Sequence, residues 1–165
     1  MNPKELAESW IQEALKNGLL GSVYIDIDYL QAHNDCYGHV VGDETIEKIS
    51  KAISNTLQNT RGNFVRIGGD EFIVILSDKD AEETFEIAEN IRSAVKDLNI
   101  KLVDKDNWYP NQSKNMPDQV TVSIGAFISK SANNRNTGRV LEMSDISCLF
   151  AKFAGKDRVV RIDLR

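Results

Sequence analysis

Four carboxylates in two short segments are the residues of this chain best suited to chemistry. Asp70 and Glu71 follow two glycines in the run Arg66-Ile67-Gly68-Gly69-Asp70-Glu71-Phe72-Ile73-Val74-Ile75-Leu76. Asp26 and Asp28 close the apolar stretch Val23-Tyr24-Ile25-Asp26-Ile27-Asp28. A buried strand rarely ends in carboxylates unless they face solvent or a positive charge. Acids gathered at one sheet edge repel one another and raise each other's pKa unless a cation neutralises them. Neither segment contains His or Cys, and an all-oxygen ligand set suits Mg²⁺ or Mn²⁺. Acids on adjacent strands around two such ions carry out nucleotidyl transfer. One ion activates the attacking oxygen and the other stabilises the leaving pyrophosphate.

The elements that must position these acids can be read from the apolar periodicity. Phe64 to Ile67 and Phe72 to Leu76 read as the two strands of a tight hairpin, with Gly68 and Gly69 at positive φ in its turn and leaving room for another molecule to approach. Leu19 to Ile27 reads as a central strand, which alternation gives Asp26 and Asp28 on one face and Ile27 on the other. Residues 4–16 and a longer helix near Asp43, striped by Ile46, Ile49, Ile53 and Leu57, have helical spacing. A helix starting at Asp80, one over residues 140–153 and a short helical segment from about Tyr29 complete the helical set. Gln119 to Ile128 and Arg158 to Ile162 read as further strands. Polar stretches with Pro110 and Pro117, and with Asn133-Asn134-Arg135-Asn136, read as loops. The order implies one α/β (α+β) domain over residues 1–165, a ferredoxin-like palm with a mostly antiparallel sheet flanked by helices.

Four ordered motifs carry a resemblance to the GGDEF domain, the catalytic domain of diguanylate cyclases. Gly68-Gly69-Asp70-Glu71-Phe72 matches it to the letter. The block from Asp26 to Asp43 carries the family's D-x-D, N-D-x-x-G-H and G-D at its spacing. Val120-Thr121-Val122-Ser123-Ile124-Gly125 resembles its late strand, and the run from Ala151 to Val159 resembles its A-K-x-x-G-R-N-x-V tail. The resemblance implies condensation of two GTP into cyclic di-GMP across a homodimer, with Mg²⁺ or Mn²⁺ as cofactor. It implies Asp26, Asp70 and Glu71 as catalytic acids, and Asp26, Asp70, Glu71 and the Ile27 carbonyl as metal ligands. It places Asn34 and Asp43 at the guanine edge. It assigns Lys152 and Lys156 to the triphosphate, and Gly68, Gly69 and Leu30 to the substrate surface. Asp28 is expected either to join the ligands or to cap the following helix. Asp43 as an N-cap and Asn34 as a turn residue are the structural alternatives. His39 is expected to be a hydrogen-bonded structural residue, and Arg66 to brace an acid or a phosphate.

The match also has departures. The family's opening D-x-L-T-G-L-x-N-R is not found, its F-K after D-x-D is Leu30-Gln31, and its tail arginine is Lys156. Lysine keeps the charge and loses the bidentate fork. Asn59 and Gly62 stand where the family's inhibitory R-x-x-D would fall, so product inhibition there is not expected. These departures raise two alternatives. One is a resemblance to minimal CRISPR-type polymerases, whose products in antiphage defence contain adenine and would draw on ATP. The other is a catalytically silent GTP-binding regulator.

Composition bounds the partners. A chain of 165 residues supports one core. A net charge of −5 argues against a stable nucleic-acid partner. No apolar run approaches the roughly 20 residues of a membrane span, and the N-terminus shows no signal-peptide pattern. A cytoplasmic domain without membrane insertion is expected. Cys36 and Cys148 lack metal-ligand spacing and are expected to be unpaired thiols.

Overall fold

The computed structural model describes residues 1–107, 114–129 and 136–163. Pro110 and Asn133 to Arg135 lie outside the described residues. Ten elements follow one another: α1 (Pro3–Asn17), β1 (Leu20–Ile27), α2 (Leu30–Tyr37), α3 (His39–Thr56), β2 (Gly62–Arg66), β3 (Glu71–Ser77), α4 (Ala81–Lys96), β4 (Val122–Ser129), α5 (Thr137–Phe153) and β5 (Arg158–Asp163). Capping boxes begin α1 at Asn2–Glu5 and α4 at Asp80–Glu83, where each side chain satisfies a backbone N–H of its partner. The sheet runs β2-β3-β1-β4-β5 and is antiparallel except for the parallel β4–β5 pair. β1 is central, as its apolar character requires.

Strand alternation divides the core in two. Val23, Ile25 and Ile27 pack with Ile46, Ile49 and Ile53 of α3 and with Ala88, Ile91 and Val95 of α4. Leu20 and Tyr24 face the other way, with Ala7 and Ile11 of α1 and Val140 and Cys148 of α5. The helix α5 lies close because both surfaces are small. Ser144 Oγ donates to Ser22 Oγ at 2.7 Å, and a Cβ on Gly125 would collide with the backbone of Ser144 and Cys148. That close approach fixes where the C-terminal turn of α5 ends.

The structure differs from the expected elements at several points. Gln119 lies before β4, in an isolated bridge with Lys101. The positive-φ glycines among the described residues are Gly18, Gly38 and Gly155, so Gly68 and Gly69 do not turn the hairpin that way. Arg66 holds that turn instead, donating from Nε to Gly68 O at 3.0 Å and from a terminal nitrogen to Gly69 O at 2.6 Å. Ile67 N closes it on Glu71 O at 2.9 Å. Arg66 thus braces backbone carbonyls, not an acid. His39 is the exposed first residue of α3. The buried imidazole is that of His33, which bridges Leu102 O at 2.7 Å and Thr45 Oγ1 at 2.9 Å.

Candidate active site

β1 and β3 lie side by side with Asp26 opposite Glu71, and Asp26 faces Ser123 of β4 on its other flank. Ile27 N donates to Asp70 O at 2.9 Å, which locks the hairpin tip to the end of β1. Carboxylate oxygens of Asp26, Asp70 and Glu71 consequently lie within 4.8 Å of one another. Glu71 is not a free hairpin residue: it is half-buried, and the Tyr24 hydroxyl donates to its Oε1 at 3.0 Å. Burial, then that bond, push the Tyr24 hydroxyl above the usual range. A Cβ at position 68 would collide with Glu71 Oε2, whereas one at position 69 would meet open space. Gly68 therefore makes room for an acid, and Gly69 leaves the backbone open to an incoming group.

Asp28 does not cap α2, whose N-cap position belongs to Tyr29 and carries no side-chain hydrogen bond. It lies one residue past β1, fully buried. Its carboxylate accepts from Thr121 Oγ1 at 2.8 Å, Ser123 Oγ at 2.6 Å, Lys152 Nζ at 3.0 Å and Asp157 N at 3.1 Å. A buried carboxylate needs this number of donors. Asp28 thereby pins the turn after α5 to β1 and β4. The Asp157 side chain pins the same turn to α4 through Arg92 at 2.9 Å and Lys96 at 2.6 Å. Thr121 and Ser123 explain why the late strand has its pattern, a role the sequence reading did not find.

Lys152 Nζ also contacts Asp26 Oδ1 at 2.7 Å and Ile27 O at 3.2 Å. Burial drives the Asp26 carboxyl up to about 6, and the Lys152 ammonium opposes this without cancelling it. Burial pushes Lys152 down, but its bond to Asp26 and the charges of Asp28 and Asp26 hold it above its usual value. Lys156 Nζ lies 4.8 Å from the centre of the Tyr29 ring, a cation–π contact.

The remaining sequence candidates divide. Asn34 lies within α2, not in a turn, and its Oδ1 is buried without a hydrogen-bond partner among the described residues. It rests against Gly42 of α3, where a Cβ would overlap it. The neighbouring Asp43 is exposed and is not an N-cap; Gly38 holds that position. Leu30 is 8% exposed and packs into the α3–α4 core, so little of its side chain is left for a substrate. Gln31 donates to Asp35 within α2 at 2.8 Å.

Residues 3–158 match the family described as "Diguanylate cyclase, GGDEF domain". The chain belongs to the GGDEF family. Among curated relatives it is 33% identical over 140 residues to "Probable diguanylate cyclase DgcT" of Escherichia coli, covering 85% of this chain and 28% of the relative. It is 31% identical over 144 residues to diguanylate cyclase A of Treponema denticola, covering 87% of this chain and 35% of that one. The chain thus spans about a third or less of the length of these relatives. The GGDEF domain of DgcB from Caulobacter crescentus, solved with c-di-GMP, shares the fold at TM-score 0.78 and 23% identity, covering 95% of this chain and 86% of that one. The active GGEEF domain of a Vibrio cholerae diguanylate cyclase does so at TM-score 0.78 and 22% identity, covering 99% and 98%. Among the described residues no helix is long and apolar enough to cross a membrane.

Within this GGDEF domain, the donor set fits a hard divalent cation. Asp26, Asp70 and Glu71 offer converging carboxylate oxygens, with the Ile27 carbonyl beside them. That chemistry suits Mg²⁺ or Mn²⁺.

Proposed function

We propose that this domain is a diguanylate cyclase, joining two GTP into cyclic di-GMP with release of two pyrophosphates. The observation that carries the reading is the convergence of Asp26, Asp70 and Glu71 within 4.8 Å at the end of the central strand. Those three acids and the Ile27 carbonyl would hold Mg²⁺ or Mn²⁺, which when bound supplies charge stabilisation to the transferring phosphoryl group. Glu71, which accepts from the Tyr24 hydroxyl, would take the proton of a 3′-hydroxyl. Asn34 of α2 and Asp43 of α3 read guanine: a carboxylate accepts from its N1–H and N2 amine, donors that adenine lacks. Lys152 and Lys156 serve the triphosphate, and the open backbone at Gly69 allows its approach. Each domain holds one nucleotide, so the reaction needs two domains face to face. Each 3′-oxygen then bonds to the partner nucleotide's α-phosphorus as the bond to pyrophosphate breaks.

The test is incubation of the purified domain with Mg²⁺ and each of the four NTPs, singly and in pairs, with products identified by mass spectrometry. Cyclic di-GMP from GTP alone is expected. Asp70→Ala should abolish it while the circular dichroism and melting temperature stay near wild type. A cyclic adenylate or mixed product, or undiminished product from Asp70→Ala, would overturn the assignment.

A further inference from the structure

Lys152 Nζ donates to Asp28 Oδ1 at 3.0 Å and to Ile27 O at 3.2 Å, and pairs ionically with Asp26 Oδ1 at 2.7 Å. Two of these acceptors, Asp26 and the Ile27 carbonyl, belong to the oxygen set that suits a divalent cation. The third, Asp28, is fully buried. An ammonium held by two carboxylates and a carbonyl is drawn away from a phosphate, and it competes by charge with a metal for the oxygens of Asp26 and Ile27. The two roles assigned to this corner of the site therefore compete in the arrangement seen.

We propose that Lys152 is a resident cation that a divalent metal must displace. In the exchange, Lys152 keeps its contact with Asp28, releases Asp26 and Ile27 O to the metal, and turns the freed donors toward an incoming triphosphate. Asp28 can act as the fixed end because Thr121, Ser123 and Asp157 N hold its carboxylate independently of the lysine. The lysine side chain is 21% exposed, so its head reaches the site surface without unfolding α5. One consequence is that metal and nucleotide favour each other's binding. The metal frees the lysine that the phosphate needs, and the phosphate takes up the ammonium that competes with the metal. Another is that the nucleotide-free domain holds divalent cations weakly. The proposal rests on the cyclase reading above for the metal and triphosphate roles.

The test is Mn²⁺ binding to the nucleotide-free domain, followed by electron paramagnetic resonance. Lys152→Gln should tighten Mn²⁺ by about tenfold or more, since it removes a unit charge in contact with a ligand in a half-buried site. Lys152→Arg, which keeps the charge, should stay near wild type. Equal or weaker binding by folded Lys152→Gln overturns the exchange. Tight binding that persists when Asp70→Ala is added overturns both the exchange and the metal site on which the cyclase reading stands. Tightening that Asp70→Ala abolishes supports both. A second measurement needs no variant: labelling of lysines in the wild-type domain by an amine-reactive reagent, read by peptide mass spectrometry. Saturating Mn²⁺ without nucleotide should raise labelling at Lys152 and leave Lys16 and Lys51 unchanged. Unchanged labelling at Lys152 would overturn the proposal.

Discussion

The Tyr24 hydroxyl donates to Glu71 Oε1 at 3.0 Å, from the central strand to its antiparallel neighbour. Tyr24 and Asp26 lie two residues apart on the same face of β1, so one strand both supplies an acid and orients another. A phenol donating to a carboxylate fixes the carboxylate's rotamer and stabilises its charged form. Tyr24→Phe removes this one bond and keeps the packing against α1 and α5. We expect the fold to survive with a loss of about 1 kcal/mol. Turnover should fall about tenfold with little change in KM for GTP, as when an orienting contact is lost. Steady-state kinetics beside thermal melts would check this, and an unchanged kcat would show that Glu71 needs no such support.

Two glycines separate the roles of site and scaffold. A Cβ at Gly68 would meet the flexible end of Glu71, whereas a Cβ at Gly125 would meet the backbone of α5. Gly68→Ala should therefore leave the melting temperature nearly unchanged while activity drops by an order of magnitude or more, because Glu71 must swing away. Gly125→Ala should cost about 2–4 kcal/mol of stability, because a helix cannot shift as a side chain can. Denaturant midpoints and initial rates on both variants give the comparison. A stable Gly125→Ala protein would mean that α5 can move away from the sheet.

The sequence revealed the acid cluster because residue type and spacing alone define it: Asp26 at a strand end, and Asp70 and Glu71 after paired glycines. Strand and helix periodicities likewise exposed β1, β3, α3 and α4, whose apolar faces are regular. The hydrogen bonds of Asp28 were not legible because its four partners, Thr121, Ser123, Lys152 and Asp157, come from two segments about 100 residues downstream, joined only by the fold. Periodicity carries no such information. The hairpin glycines were misread for a different reason. Glycine is selected either by positive φ or by crowding, and sequence alone does not separate the two. The imidazole of His33 sits inside α2, whose burial depends on the Leu102 carbonyl that it meets.

Asn34 offers an effect of opposite sign on stability and binding. Its Oδ1 is buried against Gly42 with no hydrogen-bond partner among the described residues. An unpaired buried acceptor costs about 1–3 kcal/mol. Asn34→Ala removes that group, so the melting temperature should hold or rise. If Asn34 reads guanine, KM for GTP should increase about tenfold or more and the preference over ATP should shrink. Nucleotide competition assays and melting curves report both. A variant that melts lower and keeps full GTP preference would assign Asn34 to the scaffold.

The two thiols should differ sharply in reactivity. Cys148 is buried on the sheet-facing side of α5 and donates to Ser123 O at 3.3 Å, while Cys36 is only partly buried. Burial, assisted by the Asp26 charge, pushes the Cys148 thiol from 9.0 up to about 12. The thiolate is the reactive form, and at pH 8 a thiol with that value is ionised to about one part in ten thousand. Iodoacetamide should label Cys36 in the native domain and reach Cys148 only after denaturation, as peptide mass spectrometry would show. The same shift carries a stability sign. Below pH 9 both folded and unfolded states keep the proton, and Cys148 contributes no pH dependence. Between pH 9 and 12 the unfolded chain releases a proton that the folded state retains, so stability falls as pH rises through that window. Cys148→Ala should remove that part of the alkaline decline. Native-state alkylation of Cys148 as fast as Cys36 would mean that α5 opens from the sheet far more often than its packing against Gly125 allows.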